Sequence, residues 1–277
     1  MHSLINHVVQ LQELTLVRAE QKVHGNDQHL ERLDNSIKEM TKELPKETRS
    51  LFEKLSKKDS IVIAPVSTNI CAACGMTLPT SLIQAVRQEH QIESCPNCAR
   101  MLYYPESIPR RVDKMPKRWE PRKTGISRFS SHDLMLPSLE ATDKEGVIQE
   151  IASKMESEKF VDKGDELAEH ALQRESILST AVDHGLAFPH VRGIEGGITL
   201  ALALSKKGVK FGAPSNRLTR IFFFIAIPMA ANAFYLKLLS GLTETFRKAE
   251  ARKTLLAQDD PEKLWKTLVK QTRTTIK

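Results

Sequence analysis

Aromatic residues are scarce in this chain of 277 residues, at 5 % of the sequence. Their scarcity argues against a broad surface on which nucleic-acid bases could stack. Long apolar runs are also missing, since the longest, Ile221 to Ala231, falls far short of the roughly 20 residues that cross a bilayer. Met1 to Leu16 lacks a basic segment followed by a continuous apolar core, so no secretory signal is expected. We therefore expect a cytoplasmic protein without a membrane span.

Apolar residues make up 40 % of the chain and charged residues 27 %, which is an ordinary globular composition. At about 150 residues per domain, the length predicts two domains. The net charge of +7 is uneven, because residues 105–135 hold eight Lys or Arg against four Asp or Glu. Four prolines in this segment oppose helix and central strand, so we expect an extended linker. It is either a solvated spacer or a site for phosphates or an acidic protein. Its basic residues are Arg110, Arg111, Lys114, Lys117, Arg118, Arg122, Lys123 and Arg128.

The first 60 residues show two amphipathic stripes. One stripe runs from Leu4 to Leu14 and the second from Leu30 to Leu44, with apolar residues three or four positions apart. A turn is expected near Gly25, and Pro45 should stop or kink the second helix. The pattern predicts a helical hairpin. Its stripes form either a core within the chain or a surface for a homodimer or another partner.

All four cysteines lie in two C-x-x-C pairs, Cys71 with Cys74 and Cys95 with Cys98. Two such knuckles can complete a tetrahedron of thiolates around one ion, and thiolates favour zinc over magnesium or calcium. A disulfide is disfavoured in a chain that carries no mark of secretion. A redox pair needs no second C-x-x-C, and an iron–sulfur cluster has a less usual spacing. The sequence thus predicts a structural zinc site, since four thiolates leave no open position.

The segments Ile70 to Pro79 and Ile92 to Tyr103 resemble the C4-type zinc ribbon that follows a coiled-coil hairpin in certain bacterial proteins. The likeness is specific at the cysteines and at the run CPNCARMLY, and weaker over the helices. The resemblance implies a module that binds nucleic acid or protein, and it implies no reaction.

The second half of the chain alternates helical and strand-like patterns. Thr142 or Asp143 can cap one helix, Gly164 opens another, and Pro261 opens a last one. Strand-like runs lie at 185–190, 198–204 and 221–227, and the last is apolar throughout, as a central strand buried on both faces should be. This alternation predicts an α/β fold.

His190 stands out in this half because it follows Pro189 at a strand end and precedes a loop, Gly193 to Gly197. Strand ends followed by loops are where α/β proteins place working groups. A neutral imidazole is a nucleophile near pH 7 and can take up and release a phosphoryl group. Such a site needs a nearby cation for the phosphate charge, must avoid close carboxylates, and needs a ring that is open to solvent. Position alone also fits a packing or surface histidine.

The run RESILSTAVDHGLAFPH, Arg174 to His190, resembles the active-site stretch of enzyme IIA of the mannitol–fructose and nitrogen-regulatory type. That family belongs to the bacterial phosphoenolpyruvate-dependent phosphotransferase system, and the likeness covers about 134–272. It implies a mixed sheet flanked by helices. It also implies that His190 accepts phosphate from the phosphocarrier protein HPr and passes it to a IIB partner. Arg174 would balance the phosphate charge, and Thr180 would line the pocket.

Tyr235 departs from this family pattern, because the family usually has a second histidine there that contacts the active imidazole or the phosphate. A phenol can donate a hydrogen bond to a phosphate oxygen but cannot become a cation at neutral pH. We therefore expect His190 to be phosphorylated, but with slower transfer or altered partner choice. His184, close before His190, is a weaker candidate to replace the lost imidazole.

Together these patterns predict a helical hairpin at 1–60, a C4 zinc ribbon at 61–104, a basic linker at 105–135 and an enzyme IIA-like domain at 136–277. The leading hypothesis is a phosphotransferase, a phosphocarrier with an import or regulatory role. One alternative is a zinc-ribbon module that binds nucleic acid or the transcription machinery and carries a silent IIA-like domain. Another is a scaffold that dimerises through the hairpin. The sugar, if any, is not readable from the sequence.

Overall fold

The computed structural model describes residues 2–24, 29–105, 109–111 and 123–277. The chain divides into two compact units, Met1–Ser107 and Ile108–Lys277. The turn expected near Gly25 and the basic linker residues between 112 and 122 lie outside the described residues. The finer division into hairpin, ribbon, linker and IIA-like domain stays a prediction.

The first unit combines helices with a small sheet. Its helices are α1 (His2–His24), α2 (Leu30–Glu43), α3 (Lys46–Ser56) and α4 (Thr80–Gln88), and its strands are β1 (Ile63–Ser67), β2 (Ile70–Cys71) and β3 (Met101–Tyr103). The strand order is β2-β1-β3, with β1 antiparallel to β2 and parallel to β3. Pro45 lies between α2 and α3, so the second helix ends just before it, as expected.

The apolar stripes of the hairpin contribute to a core within the first unit. Val8 and Leu11 of α1 are buried in one cluster with Leu44, and β1 contributes Ile63 to the same cluster. Ile37 of α2 is partly buried against it. Packing within the chain therefore accounts for much of the stripe pattern. The homodimer stays a prediction.

The second unit alternates helices and strands. Its helices are α5 (Lys144–Ser157), α6 (Gly164–Ile177), α7 (Asn232–Phe246), α8 (Ala249–Leu256) and α9 (Pro261–Thr272). Its strands are β4 (Met135–Leu136), β5 (Ala181–Val182), β6 (Leu186–Ala187), β7 (His190–Arg192), β8 (Thr199–Val209) and β9 (Thr219–Ile227). Of the two cap candidates, Thr142 and Asp143, it is Asp143 that caps α5, because its carboxylate accepts the Gly146 amide at 2.7 Å.

The strands of the second unit form a mixed sheet in the order β4-β8-β9-β6-β5, with β7 also paired to β9. Strand β9 is antiparallel to β8 and parallel to both β6 and β7. Its residues 221–227 are all buried, which confirms the expected central strand. Helices α5, α6 and α9 contact β8, β7 and β4 respectively. The predicted α/β fold, a mixed sheet flanked by helices, is confirmed.

Part of the predicted linker makes specific contacts with the second unit. Pro109 accepts the Glu195 amide at 3.0 Å, and the Arg111 amide donates to the Glu195 carbonyl at 2.9 Å. The Arg111 side chain donates to the Ile198 carbonyl at 2.9 Å. On the other side, the Arg110 amide donates to the Asp162 carboxylate at 2.7 Å. These three linker residues therefore lie between the loop after β7 and the loop between α5 and α6.

Within the described ranges, every helix is too short or too polar to cross a membrane. The predicted cytoplasmic location stays a prediction.

In the loop after β7, Gly196 lies against the linker residue Arg111, whereas Gly193 does not. A Cβ on Gly196 would lie 2.8 Å from the Cβ of Arg111, and Gly196 has a φ of +92°. Gly193 also has a positive φ, +81°, but a Cβ there would come no closer than 3.8 Å to Met229. We expect Gly196→Ala to lower the free energy of unfolding by about 3 kcal/mol, since backbone strain and collision add. Gly193→Ala should lose only about 1–2 kcal/mol from strain.

Urea unfolding of both variants of the full chain measures the difference. Equal losses would show that contact with Arg111 does not constrain Gly196.

Candidate functional site

The four cysteines meet at one point of the first unit. The Sγ atoms of Cys71 and Cys98 lie 3.8 Å apart, as do those of Cys74 and Cys95. All four sulfurs lie within 4.8 Å of one another. Zn–S bonds of about 2.3 Å in a tetrahedron place sulfurs about 3.8 Å apart, whereas a disulfide joins them at about 2.05 Å. The sulfur spacing fits one tetrahedral ion and does not fit a disulfide.

Backbone turns aim the cysteine sulfurs. The amide of Gly75 donates to the Cys71 carbonyl at 2.8 Å, and the amide of Ala99 donates to the Cys95 carbonyl at 2.9 Å. Both residues that follow the pairs have positive φ, +74° at Gly75 and +60° at Ala99. Glycine adopts this conformation without strain, but alanine does not. The chain thus tolerates strain at Ala99 to close the second knuckle.

Burial and hydrogen bonds shift the pKa values of the cysteine thiols in different directions. Burial raises the pKa of Cys71 and of Cys95. Burial also acts on Cys74, but hydrogen bonds from the Met76 amide and the Asn97 side chain outweigh it and lower the pKa to about 7. A metal that binds thiolates must displace the remaining thiol protons.

His190 begins β7 at a break in the edge of the second sheet. Strands β6 and β7 pair with successive parts of β9, and Phe188 and Pro189 separate them. The Phe188 ring stacks on Phe223 of β9 at 5.5 Å. The Pro189 carbonyl accepts the Ile225 amide at 2.9 Å. The central strand thereby fixes both residues that precede His190.

The His190 ring has a defined tautomer. Its Nδ1 lies 3.0 Å from the Phe188 carbonyl oxygen, and a carbonyl can only accept. Nδ1 therefore carries the proton and donates it, which leaves the lone pair of the neutral ring on Nε2. The Tyr235 hydroxyl of α7 lies 3.2 Å from the same Nδ1, and its oxygen can accept a share of that hydrogen bond. The structure thus brings Tyr235 to His190, with ring centroids 5.0 Å apart.

The expectation that the His190 ring is open to solvent is wrong for this conformation. His190 and Tyr235 are each only 1 % exposed, and Nε2 itself is buried. The physical reason is the close packing of α7, whose Tyr235 ring lies beside the imidazole. A reaction at Nε2 with another protein therefore requires side chains around the ring to move.

Arg174 and Thr180 are both buried, Arg174 near the end of α6 and Thr180 in the loop after it. Arg174 donates from Nη1 to the Leu178 carbonyl at 3.0 Å. The Thr180 hydroxyl donates to Glu175 at 2.7 Å, and the Thr180 carbonyl accepts the Phe188 amide at 3.2 Å. The backbone of Thr180 is thereby hydrogen-bonded to Phe188, which lies two residues before His190.

Sequence reasoning missed Arg192, Asn232 and Glu175, which lie around this site. Arg192 lies two positions after His190 on β7, and its guanidinium carbon is 4.8 Å from the centre of the Tyr235 ring. Its Nη1 donates to the side-chain oxygen of Asn232. Buried Glu175 accepts the hydroxyls of Ser179 and Thr180, and burial raises the pKa of its carboxyl. Alternation along β7 was the available signal for Arg192, since positions 190 and 192 face the same side.

The comparisons with known proteins agree with this architecture. Residues 128–271, just over half of the chain, match the family model of the phosphoenolpyruvate-dependent sugar phosphotransferase system, EIIA 2. Residues 70–102 match the C4-type zinc ribbon domain.

Two curated relatives cover about half of this chain. The PTS system fructose-specific EIIA component of Haloferax volcanii is 26 % identical over 140 residues, which are 50 % of this chain and 91 % of that protein. The nitrogen regulatory protein of Bradyrhizobium diazoefficiens is 28 % identical over 145 residues, 52 % of this chain and 94 % of its own. A solved structure of IIA-Ntr from Neisseria meningitidis has a TM-score of 0.48 at 23 % identity and covers 51 % of this chain and 97 % of its own.

The mixed sheet and the matched residues define the second unit as a IIA-type domain of the phosphotransferase system. The chain belongs to the EIIA 2 family of the phosphoenolpyruvate-dependent sugar phosphotransferase system. Its first unit contains a C4-type zinc ribbon. The recognition of both modules from the sequence is confirmed.

The buried Glu175 carboxyl generates a pH prediction. Its pKa is raised above the ordinary value of 4.5, so the folded chain favours the protonated acid. The protonated Glu175 carboxyl therefore contributes stability that is fully present below pH 4.5. That stability is lost as the pH rises through the raised pKa of Glu175. We expect the stability advantage of the wild type over Glu175→Gln to shrink from pH 5 towards pH 8, by at most about 1.4 kcal/mol per pH unit.

Urea unfolding of the full chain at several pH values measures this advantage. The control is Glu169→Gln, which removes an exposed carboxylate of the same helix and should show no such trend. A Glu175 difference that stays constant or grows with pH would contradict the assignment.

Proposed function

We propose that this chain is a phosphocarrier that accepts a phosphoryl group from HPr on Nε2 of His190. The observation that carries the proposal is the contact of Nδ1 with the Phe188 carbonyl at 3.0 Å. That contact keeps the proton on Nδ1 and leaves Nε2 as the nucleophile near neutral pH. Membership of the EIIA 2 family supports the same role.

The transfer step balances without a change in net protonation. The Nε2 lone pair of His190 attacks the phosphorus of the phosphohistidine of HPr, in line with the breaking P–N bond. The electron pair of that bond returns to the imidazole of HPr. Throughout, Nδ1 of His190 keeps its proton and donates a hydrogen bond to the Phe188 carbonyl. Passing the group onward repeats the same exchange with a nucleophile of the next protein.

Access to Nε2 is the structural requirement of this mechanism. Because His190 is 1 % exposed, docking of HPr must displace side chains that cover the ring. Exclusion of water by the same side chains would protect a reactive phosphohistidine between transfers. Burial thus fits a carrier that releases its phosphate to proteins rather than to water.

The next acceptor is either a IIB protein or a regulatory target. The names of the two curated relatives, a fructose-specific EIIA component and a nitrogen regulatory protein, represent these two roles. A zinc ribbon in the same chain favours the regulatory role, because sugar import needs no such module. Phosphorylation adds roughly two negative charges, which is a signal that another macromolecule can recognise.

Labelling tests the carrier role. The full chain, incubated with labelled phosphoenolpyruvate, enzyme I and HPr, should acquire an acid-labile phosphate. His190→Ala should lose the label, because it removes the proposed nucleophile. His132→Ala, an exposed histidine of the same unit, should keep it.

His184→Asn separates the other histidine candidate. His184 is exposed and has a φ of +70°, which asparagine tolerates, so the change should leave the label in place. An unlabelled wild type, or a label that persists in His190→Ala, would refute the carrier role.

We further propose that Cys71, Cys74, Cys95 and Cys98 hold one structural zinc ion. Sulfur spacings of 3.8 Å and the soft donor set support the assignment. When bound, zinc would join the two knuckles and stabilise the ribbon on the order of 10 kcal/mol at neutral pH. It would take no part in phosphoryl transfer.

Metal analysis of the full chain tests this site. We expect one zinc per chain and none in Cys98→Ser, which removes one of the four ligands. Met76→Ser changes an exposed side chain just after the first pair and should keep the zinc. Iron with visible absorbance, or full zinc content in Cys98→Ser, would contradict the assignment.

A further inference from the structure

Arg192 shares one face of β7 with His190. The two residues are separated by one position, so their side chains leave the strand on the same side. Tyr235 connects them. Its hydroxyl lies 3.2 Å from Nδ1 of His190, and the Arg192 guanidinium carbon lies 4.8 Å from the centre of the Tyr235 ring. A permanent cation therefore lies against the phenol that contacts the proposed nucleophile.

We propose that Arg192 is a phosphate-binding residue that neutralises the phosphoryl group on His190. The inference rests on the proposed carrier function and deepens it. A phosphoryl group brings roughly two negative charges into a site that is almost closed to solvent. The phenol of Tyr235 can donate a hydrogen bond but cannot supply a positive charge. Arg192 supplies that charge at every physiological pH.

One hydrogen-bond partner of Arg192, Asn232, is an acceptor that a phosphate can replace. Nη1 of Arg192 donates to the amide oxygen of Asn232, which is a neutral acceptor on the first turn of α7. A phosphate oxygen is a stronger acceptor because it is charged, and it can also engage the planar guanidinium fork with two bonds. Arg192 is half-buried, and turning towards a group on Nε2 would require it to release Asn232.

Arg174, the cation implied by the family resemblance, is arranged differently. Its Nη1 donates to the Leu178 carbonyl at 3.0 Å, at the end of its own helix. A guanidinium that holds a helix end cannot turn to a phosphate without releasing that carbonyl. The geometry therefore points to Arg192 as the cation that responds to phosphorylation, whatever Arg174 adds.

Single-turnover transfer from saturating phospho-HPr to the full chain tests the assignment. We expect Arg192→Gln to slow transfer about 10- to 100-fold, which is the effect of losing one charged hydrogen bond. Arg192→Lys should be intermediate, because an ammonium restores charge without the fork. The matched control is Arg220→Gln, which removes an exposed arginine of the neighbouring strand β9 and should transfer at the wild-type rate.

Phosphorus NMR gives a second readout that a merely structural role would not move. In the phosphorylated chain the second ionisation of the phosphate should occur at higher pH in Arg192→Gln, because a nearby cation favours the dianion. A wild-type rate together with an unshifted phosphate titration would overturn the role of Arg192 while leaving the carrier role intact. If Arg192→Gln does not fold, a wild-type rate in Arg192→Lys overturns it. An unlabelled wild type refutes the carrier role and this proposal with it.

Discussion

One hydrogen bond, between Nδ1 of His190 and the Phe188 carbonyl, determines what the site can do. It selects the tautomer, and the tautomer decides which nitrogen can act as a nucleophile. The bond exists because the chain is fixed just before the histidine. Phe188 stacks on Phe223, and Pro189 accepts an amide from β9. The central strand β9 therefore sets the orientation of an imidazole that lies at the sheet edge.

Burial is the second constraint, and it shapes the electrostatics of any reaction there. A ring that is 1 % exposed can retain a reactive phosphate, but a phosphate placed beside it cannot rely on water for neutralisation. Tyr235 fills the space next to Nδ1 and remains uncharged. Positive charge has to come from arginine, and Arg192 lies directly against the phenol. Under the proposed carrier function, Arg192 would supply the positive charge that Tyr235 cannot supply.

The zinc-ribbon unit depends on a different kind of constraint. Its sulfurs are brought together by two backbone turns with positive φ, and one of them places alanine in a conformation that glycine prefers. Two pairs of its sulfurs lie 3.8 Å apart and all four lie within 4.8 Å, so the proposed zinc ion would join both turns and stabilise the unit. In the second unit, Pro109, Arg110 and Arg111 show that a proline-rich, basic segment can still be part of a fold, since its backbone amides and carbonyls pair with neighbouring loops.

The sequence by itself determined the local features of this protein. The apolar run at 221–227 identified the central strand, Asp143 marked a helix start, and the C-x-x-C pairs marked the ribbon, because each signal lies within a few consecutive residues. His190 was marked by its position at a strand end and then by family likeness, and Tyr235 by family likeness alone. Only the tertiary structure decided that α7 covers the His190 ring, that Arg192 lies against Tyr235 and that Arg111 fills the space beside Gly196. These contacts join residues distant in the chain, so they depend on how helices and loops pack on the sheet, which no local pattern encodes.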